Sequence, residues 1–260
     1  MLKAILFDLD DTLIDWSTFS RTWEAYEAPH LRYVYDYINR EVHSLAEVDI
    51  EVYIEEYIRR TRDAWASARS TLRAPHLGRI LVETAVAYGV PIEKLDMKRC
   101  LEEYRWGVID GTRVFPEAFE VLALLRERDI KLGVVTNAFQ PMWLRDIEMQ
   151  ALGLLDFFPT CRFSAADVGY LKPHPNIFDA ALKCLETTSE ETIYVGDNPV
   201  ADIAGSQAAG LRAVLRVRTP TPPLISGLVV PDAAINSLRE LPAVLDEWFP
   251  GWDGESEGED

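Results

Sequence analysis

Four apolar residues, Ala4 to Phe7, run without a polar break into Asp8-Leu9-Asp10-Asp11-Thr12, so a short strand ends in three carboxylates. An unbroken apolar run of this length suits a parallel strand covered on both faces, because a half-exposed strand would alternate. Open α/β sheets place ligands outside the carboxyl ends of their strands, and Asp8 and Asp10 emerge there. Two ionised carboxylates confined in one small space repel each other. A divalent cation, a proton on one of them, or both must hold them. The plainer alternative is a solvated acidic turn that caps the strand.

The character of the sequence then changes twice. Between about Asp15 and Val108 the patterns are helical, with almost no strand signal. Ile54, Tyr57, Ile58, Thr61, Trp65 and Ala68 trace one helical face. Leu77, Ile80, Leu81, Thr84, Ala85 and Tyr88 trace a second, stopped by Gly89 and Pro91. Segments at Trp23 to His43 and Lys94 to Trp106 add further helices. After Asp110-Gly111, strands and helices alternate as in βαβ units. A helix from Pro116 to Arg128 precedes a strand from Leu132 to Val135, and a helix from Pro141 to Leu152 follows it. Thr188 and Glu191 have capping-box spacing, but the β-branched and aromatic run Ile193-Tyr194-Val195 reads as a strand. A helix to Gly210 and a strand from Ala213 to Val217 come next, then a Pro-rich loop from Thr219 to Pro223.

The expected fold is therefore α/β. A Rossmann-like parallel sheet core spans residues 1–14 and 109–248, interrupted by an inserted all-helical cap over 15–108. Residues 249–260 are rich in Gly, Ser and Glu, and are expected to form an acidic, disordered tail. An apolar fraction of 48% is ample for a core. A net charge of −17 opposes binding to a phosphate backbone, so nucleic acid is not an expected partner. Cys100, Cys161 and Cys184 show no paired spacing and read as reduced thiols. The first apolar run is too short for a signal peptide, and no window approaches about 18 uninterrupted apolar residues. A cytoplasmic protein with no membrane partner is expected, its oligomeric state left open.

Three strand ends carry polar residues of one kind: Asp8 with Asp10, Thr136 with Asn137, and Asp197 with Asp202 five residues later. Lys172, in Leu171-Lys172-Pro173-His174-Pro175, lies between the second and third. Singly, each has an ordinary reading: a helix N-cap for Thr136, a solvated cation for Lys172, a turn at Gly196-Asp197. In this order and spacing they resemble the four motifs of the haloacid dehalogenase-like hydrolase superfamily, over nearly the whole chain. Members with a cap between the first motif and the second strand place it where the helical segment falls.

The resemblance implies a magnesium-dependent phosphatase acting on a small phosphomonoester. Asp8 would attack phosphorus to give an aspartyl phosphate, and Asp10 would protonate the leaving oxygen and then take a proton from water. Mg²⁺ would be bound by Asp8, Asp197 and the backbone carbonyl of Asp10, with Asp202 an outer partner. Thr136 would donate its hydroxyl to phosphate, Asn137 its backbone amide, and Lys172 would neutralise charge. Thr12 would hold the first loop in shape, and His174 reads as a loop residue, not a base. Phosphate ester hydrolysis demands this cooperation, because an enhancement of up to ~10²¹ is about 28 kcal/mol, beyond any single acid.

Asp10 also separates reactions. Dehalogenase members lack a carboxylate at this second position, since a halide leaves without a proton; phosphatases and mutases carry one. A phosphomutase is the alternative within the superfamily, and a non-catalytic phospho-acceptor or interaction protein a more distant one. Trp16 and Phe19 follow the first loop closely enough to roof the site. Arg21, Arg62 and Arg69 could meet a second anionic group.

Overall fold

The computed structural model describes residues 1–217 and 228–254. Among these are eight strands: β1 (Ala4–Phe7), β2 (Ile14–Asp15), β3 (Arg113–Val114), β4 (Lys131–Thr136), β5 (Cys161–Ser164), β6 (Thr192–Gly196), β7 (Arg212–Arg216) and β8 (Ala233–Ile235). Six form a parallel sheet in the order β5-β4-β1-β6-β7-β8. The apolar run at the amino terminus thus lies near the middle, with Phe7 beside Val134 on one side and Val195 on the other. All four of its residues are fully buried, as an interior parallel strand requires. β5 and β8 carry no such run because they are the sheet's edges. Arg162 of β5 turns aside to an ion pair with Asp146 at 2.7 Å.

β2 and β3 form a separate antiparallel ribbon, pairing Ile14 with Val114 and Asp15 with Arg113. Strands of two residues leave no periodic signal, so the helical segment is bracketed by an element the sequence does not announce. The Arg113 guanidinium donates to Asp15 Oδ2 from Nη2 at 3.1 Å, and Thr18 Oγ1 donates to Gly111 O at 2.6 Å. Gly111 has φ +91°, and a Cβ there would meet Thr18 O at 2.9 Å, so this corner requires glycine.

Between the ribbon strands lie α1 (Trp23–Tyr37), α2 (Ile50–Thr71), α3 (Leu77–Ala87) and α4 (Met97–Glu103). They bury their own apolar cluster, including Tyr53, Tyr57, Leu81 and Tyr104. Phe139 and Leu144, which follow β4, belong to this cluster and pin it over the sheet's carboxyl rim.

The remaining helices are α5 (Pro116–Glu127), α6 (Met142–Ala151), α7 (Ala165–Val168), α8 (Pro175–Leu185), α9 (Gly205–Ala208) and α10 (Leu241–Trp248). They cover both faces of the sheet. Ile5 and Phe7 point into a cluster with α5, α6 and α10, whereas Ala4 and Leu6 point into one with α8. Thr188 and Glu191 do make a capping box, on a single 3₁₀ turn that leads directly into β6. Both signals in that stretch are real, and the strand follows the cap.

The Pro-rich stretch Thr219–Pro223 and residues 255–260 lie outside the described residues. The first part of the acidic tail differs from expectation. Trp252 is buried in the main core cluster, its indole N–H donates to Asp246 Oδ1 at 2.7 Å, and Arg128 holds Asp253 O at 2.6 Å. Two aromatic rings, Phe249 and Trp252, give this segment the apolar area that its Gly and Asp content obscures. No described helix is long and apolar enough to cross a membrane.

Candidate active site

The first loop is aimed by local hydrogen bonds. Asp8 N donates to Val195 O at 2.9 Å, so β1 stays paired with β6 as far as its first acid. The chain then turns sharply. Leu13 N and Ile14 N both donate to Leu9 O at 2.9 Å, and Asp11 N donates to Ile14 O at 2.6 Å with Asp11 at φ 65°. Aspartate tolerates that left-handed conformation better than most residues. Thr12 is fully buried, but its hydroxyl meets no hydrogen-bond partner among the described residues. Contrary to expectation, backbone bonds and the Asp11 side chain, which accepts from Trp16 N at 3.1 Å, shape this loop.

The turn presents Asp10 to three donors. Thr136 Oγ1, at the end of β4, donates to Asp10 Oδ2 at 3.2 Å. Trp16 Nε1 and Arg145 Nη2 donate to Oδ1 at 3.0 and 2.6 Å. Trp16 therefore roofs the site and contacts it. Phe19 does neither: it packs edge-on against Trp16, with centroids 5.5 Å apart, and stands behind the cavity wall.

Lys172 is the hub of the second cluster. Its ammonium, 3% exposed, donates to Asp8 Oδ1 (2.7 Å), Asp202 Oδ1 (2.6 Å), Val135 O (2.9 Å) and the Tyr194 hydroxyl (2.9 Å). Four acceptors surround three protons, so no donor is idle. Asn137 fixes the Lys172 backbone from both sides: its Oδ1 accepts from Lys172 N at 2.7 Å and its Nδ2 donates to Lys172 O at 3.2 Å. The other Asp202 oxygen accepts from Asn198 N at 2.9 Å. Gly196 makes room for this, because a Cβ there would lie 2.4 Å from Asp202 Cγ. His174, the side-chain cap of α8, stacks on Tyr170 and faces local backbone.

Carboxylate oxygens of Asp8, Asp197 and Asp202 lie within 4.8 Å of one another. Burial pushes the Asp8 carboxyl well up, opposed by Lys172 and reinforced by Asp202, Asp197 and Asp10. Burial, and next Asp202, push Asp197 up to about 7. Burial would pull Lys172 down, but Asp202 and Asp8 outweigh it and hold the ammonium above its usual range. Crowded hard oxygens whose negative charge is only partly met by one lysine fit a small divalent cation such as Mg²⁺.

Two residues of α6, outside the four motifs, also belong to this site. Arg145 and Glu148, on α6, are both buried, with Arg145 Nε 2.9 Å from Glu148 Oε2. Trp106 Nε1 donates a hydrogen bond to Glu148 Oε2, at 3.3 Å. Burial raises the Glu148 carboxyl to about 7, against the pull of Arg145. A sequence signal does exist: Met142, Arg145, Glu148, Met149 and Leu152 share one helical face, so two charges sit on an apolar stripe.

These groups open into a cavity of about 770 Å³ between sheet rim and helical layer. Trp23, Glu24 and Glu27 of α1 and Arg62, Trp65 and Arg69 of α2 line its far side. Arg21 does not reach it and pairs with Asp110 at 3.8 Å.

Fold and site together define a capped Rossmann-like enzyme with acids gathered at the middle of the sheet. Residues 2–210 match the family model of the haloacid dehalogenase-like hydrolases, and the chain belongs to that family. It is 28% identical over 218 residues to a ribulose-1,5-bisphosphate 5-phosphatase of Halopiger xanaduensis, covering 83% of this chain and 84% of the relative. A glyceraldehyde 3-phosphate phosphatase of Methanocaldococcus jannaschii is 27% identical over 254 residues, covering 93% and 96%. Among solved structures, a 2-haloacid dehalogenase from Pseudomonas syringae superposes with a TM-score of 0.60 at 28% identity, covering 95% of this chain and all of that one.

Proposed function

We propose that the protein is a magnesium-dependent phosphatase that hydrolyses a small phosphomonoester through an aspartyl phosphate on Asp8. The observation that carries this reading is the pair of carboxylates at the tip of β1, Asp8 tied to Lys172 and Asp10 tied to Thr136, Trp16 and Arg145. A dehalogenase has no use for the second carboxylate. The phosphatase names of the two relatives agree with this choice.

Asp8, Asp197 and the Asp10 carbonyl would hold Mg²⁺, which supplies Lewis-acid stabilisation of phosphoryl oxygens. Lys172 donates to Asp8 Oδ1, and the Asp8 carboxylate it orients attacks phosphorus. As that P–O bond forms, the bond to the leaving oxygen breaks and Asp10 gives the oxygen a proton. A water then attacks the same phosphorus and loses a proton to Asp10. The Asp8–phosphorus bond breaks, and inorganic phosphate leaves with both carboxyl groups restored. Thr136 and the Asn137 amide hold the phosphoryl oxygens, and Lys172 balances their charge. Asp202 acts through Lys172, which it holds at 2.6 Å.

Turnover of 4-nitrophenyl phosphate tests this reading. The wild type should release phosphate steadily with Mg²⁺ and stop when the ion is chelated, and Asp8→Asn should be inert while still folded. Full activity of Asp8→Asn would end the proposal.

A further inference from the structure

The cavity is larger than a phosphate needs, and its cap wall is electrically uneven. Arg62 and Arg69 lie seven residues apart on α2, so they share one helical face, with Trp65 between them. Neither has a carboxylate partner among the described residues. On the same helix Arg59 is paired with Glu56 and Asp63, and Arg60 with Glu56 and Glu83. The third arginine lining the cavity, Arg145, is by contrast paired with both Asp10 and Glu148. Glu24 lines the cavity from α1, which makes it negative there and positive along α2.

The placement of α2 relative to the catalytic lysine is fixed. Leu171 N donates to Leu72 O at 2.9 Å, and Ala74 N donates to Gly169 O at 3.1 Å, so the end of α2 is stitched to the loop that carries Lys172. Arg69 sits one helical turn before that seam. Arg62 follows roughly 10 Å further along the helix, at about 1.5 Å per residue. The two cations therefore stand at increasing distance along the helix from the seam that ties α2 to the loop of Lys172.

We propose that Arg62 and Arg69 form a second anion subsite, so that the substrate is a phosphomonoester whose leaving group carries its own carboxylate or second phosphate. This rests on the phosphatase reading. The guanidinium forks suit either oxyanion, and the facing Glu24 repels the substrate's anion from the α1 side, which favours one orientation.

Two matched pairs test it in magnesium: phosphoglycolate against 2-hydroxyethyl phosphate, and fructose 1,6-bisphosphate against fructose 1-phosphate. The ratio of kcat/KM within each pair is the readout. The wild type should favour the anionic member of at least one pair by about tenfold or more, and the pair that shows it identifies carboxylate or phosphate. Arg62→Gln with Arg69→Gln should bring that ratio close to one, mainly through KM, whereas Arg79→Gln, exposed on α3 outside the cavity, should leave it unchanged. A wild-type ratio near one in both pairs, or a ratio that survives the double substitution, overturns the subsite and leaves the phosphatase standing. Failure to hydrolyse any of the four esters overturns the subsite, and the phosphatase falls with it only if 4-nitrophenyl phosphate is not turned over either.

Discussion

Lys172 Nζ stands 2.7 Å from Asp8 Oδ1, although 164 positions separate the two residues in the chain. The contact joins the first strand to a loop laid down after the third strand of the sheet, and Asp202 closes it from a fourth segment at 2.6 Å. Lys172→Met keeps the length of the stem and removes the charge, leaving two buried carboxylates without their counterion. Urea unfolding should register a loss of about 3–5 kcal/mol. Turnover should fall by about 10²–10³. A variant as stable as the wild type would show that the lysine does not neutralise these acids.

Arg145 and Glu148 give a prediction in which stability and activity separate. Arg145→Met alone strands Glu148, which is 0% exposed, and should cost about 3–5 kcal/mol. Adding Glu148→Leu removes the stranded charge and should restore most of that stability. Turnover should stay low in both variants, because Asp10 has lost its 2.6 Å donor in each. Thermal melts and kcat measured side by side decide it. Recovery of both together would mean that the guanidinium serves only the helix.

Glu27 makes stability depend on pH. Burial raises its carboxyl from 4.5 to about 7, against the hydrogen bonds donated by Tyr57 and Tyr104 at 2.8 and 2.9 Å. Between these two values the folded chain holds a proton that the unfolded chain has released. Its contribution is complete below 4.5 and is lost as pH rises through about 7. The slope is at most about 1.4 kcal/mol per pH unit. Glu27→Gln has no proton to lose, so the wild type should lose about 2 kcal/mol relative to it between pH 5 and pH 7. Parallel urea curves at both pH values would refute the assignment.

Gly196→Ala places a methyl group 2.4 Å from Asp202 Cγ, inside the fully buried acid's own space. Overpacking of this kind costs about 1–3 kcal/mol. It should also pry Asp202 from Lys172 and lower turnover. Gly107→Ala, which meets open space, is the control and should change neither. An unaltered Gly196→Ala enzyme would show that the loop after β6 yields freely.

The central sheet and the motif residues were legible because each left a local mark. An apolar run marks β1, and small polar groups at the strand ends mark Asp8, Thr136 and Asp197. What escaped is non-local. The two-residue strands β2 and β3 exist only through each other, so neither half has a pattern of its own. Arg145 resembles an ordinary helix-surface cation until the fold brings Asp10 and Trp106 against it. Phe19 reads like Trp16 in the sequence, because distance from the first loop says nothing of which ring faces inward.

The ribbon of β2 and β3 has a consequence for how such a chain can change over time. Strand partners lie about 5 Å apart, so residues 16–112 depart from the ribbon and rejoin it at almost the same point. An excursion with adjoining ends can grow, shrink or be exchanged for an unrelated segment without moving Asp8 relative to Asp197. The reactive apparatus and the surface that chooses what reaches it are thereby separable inheritances, joined along the chain only at this ribbon.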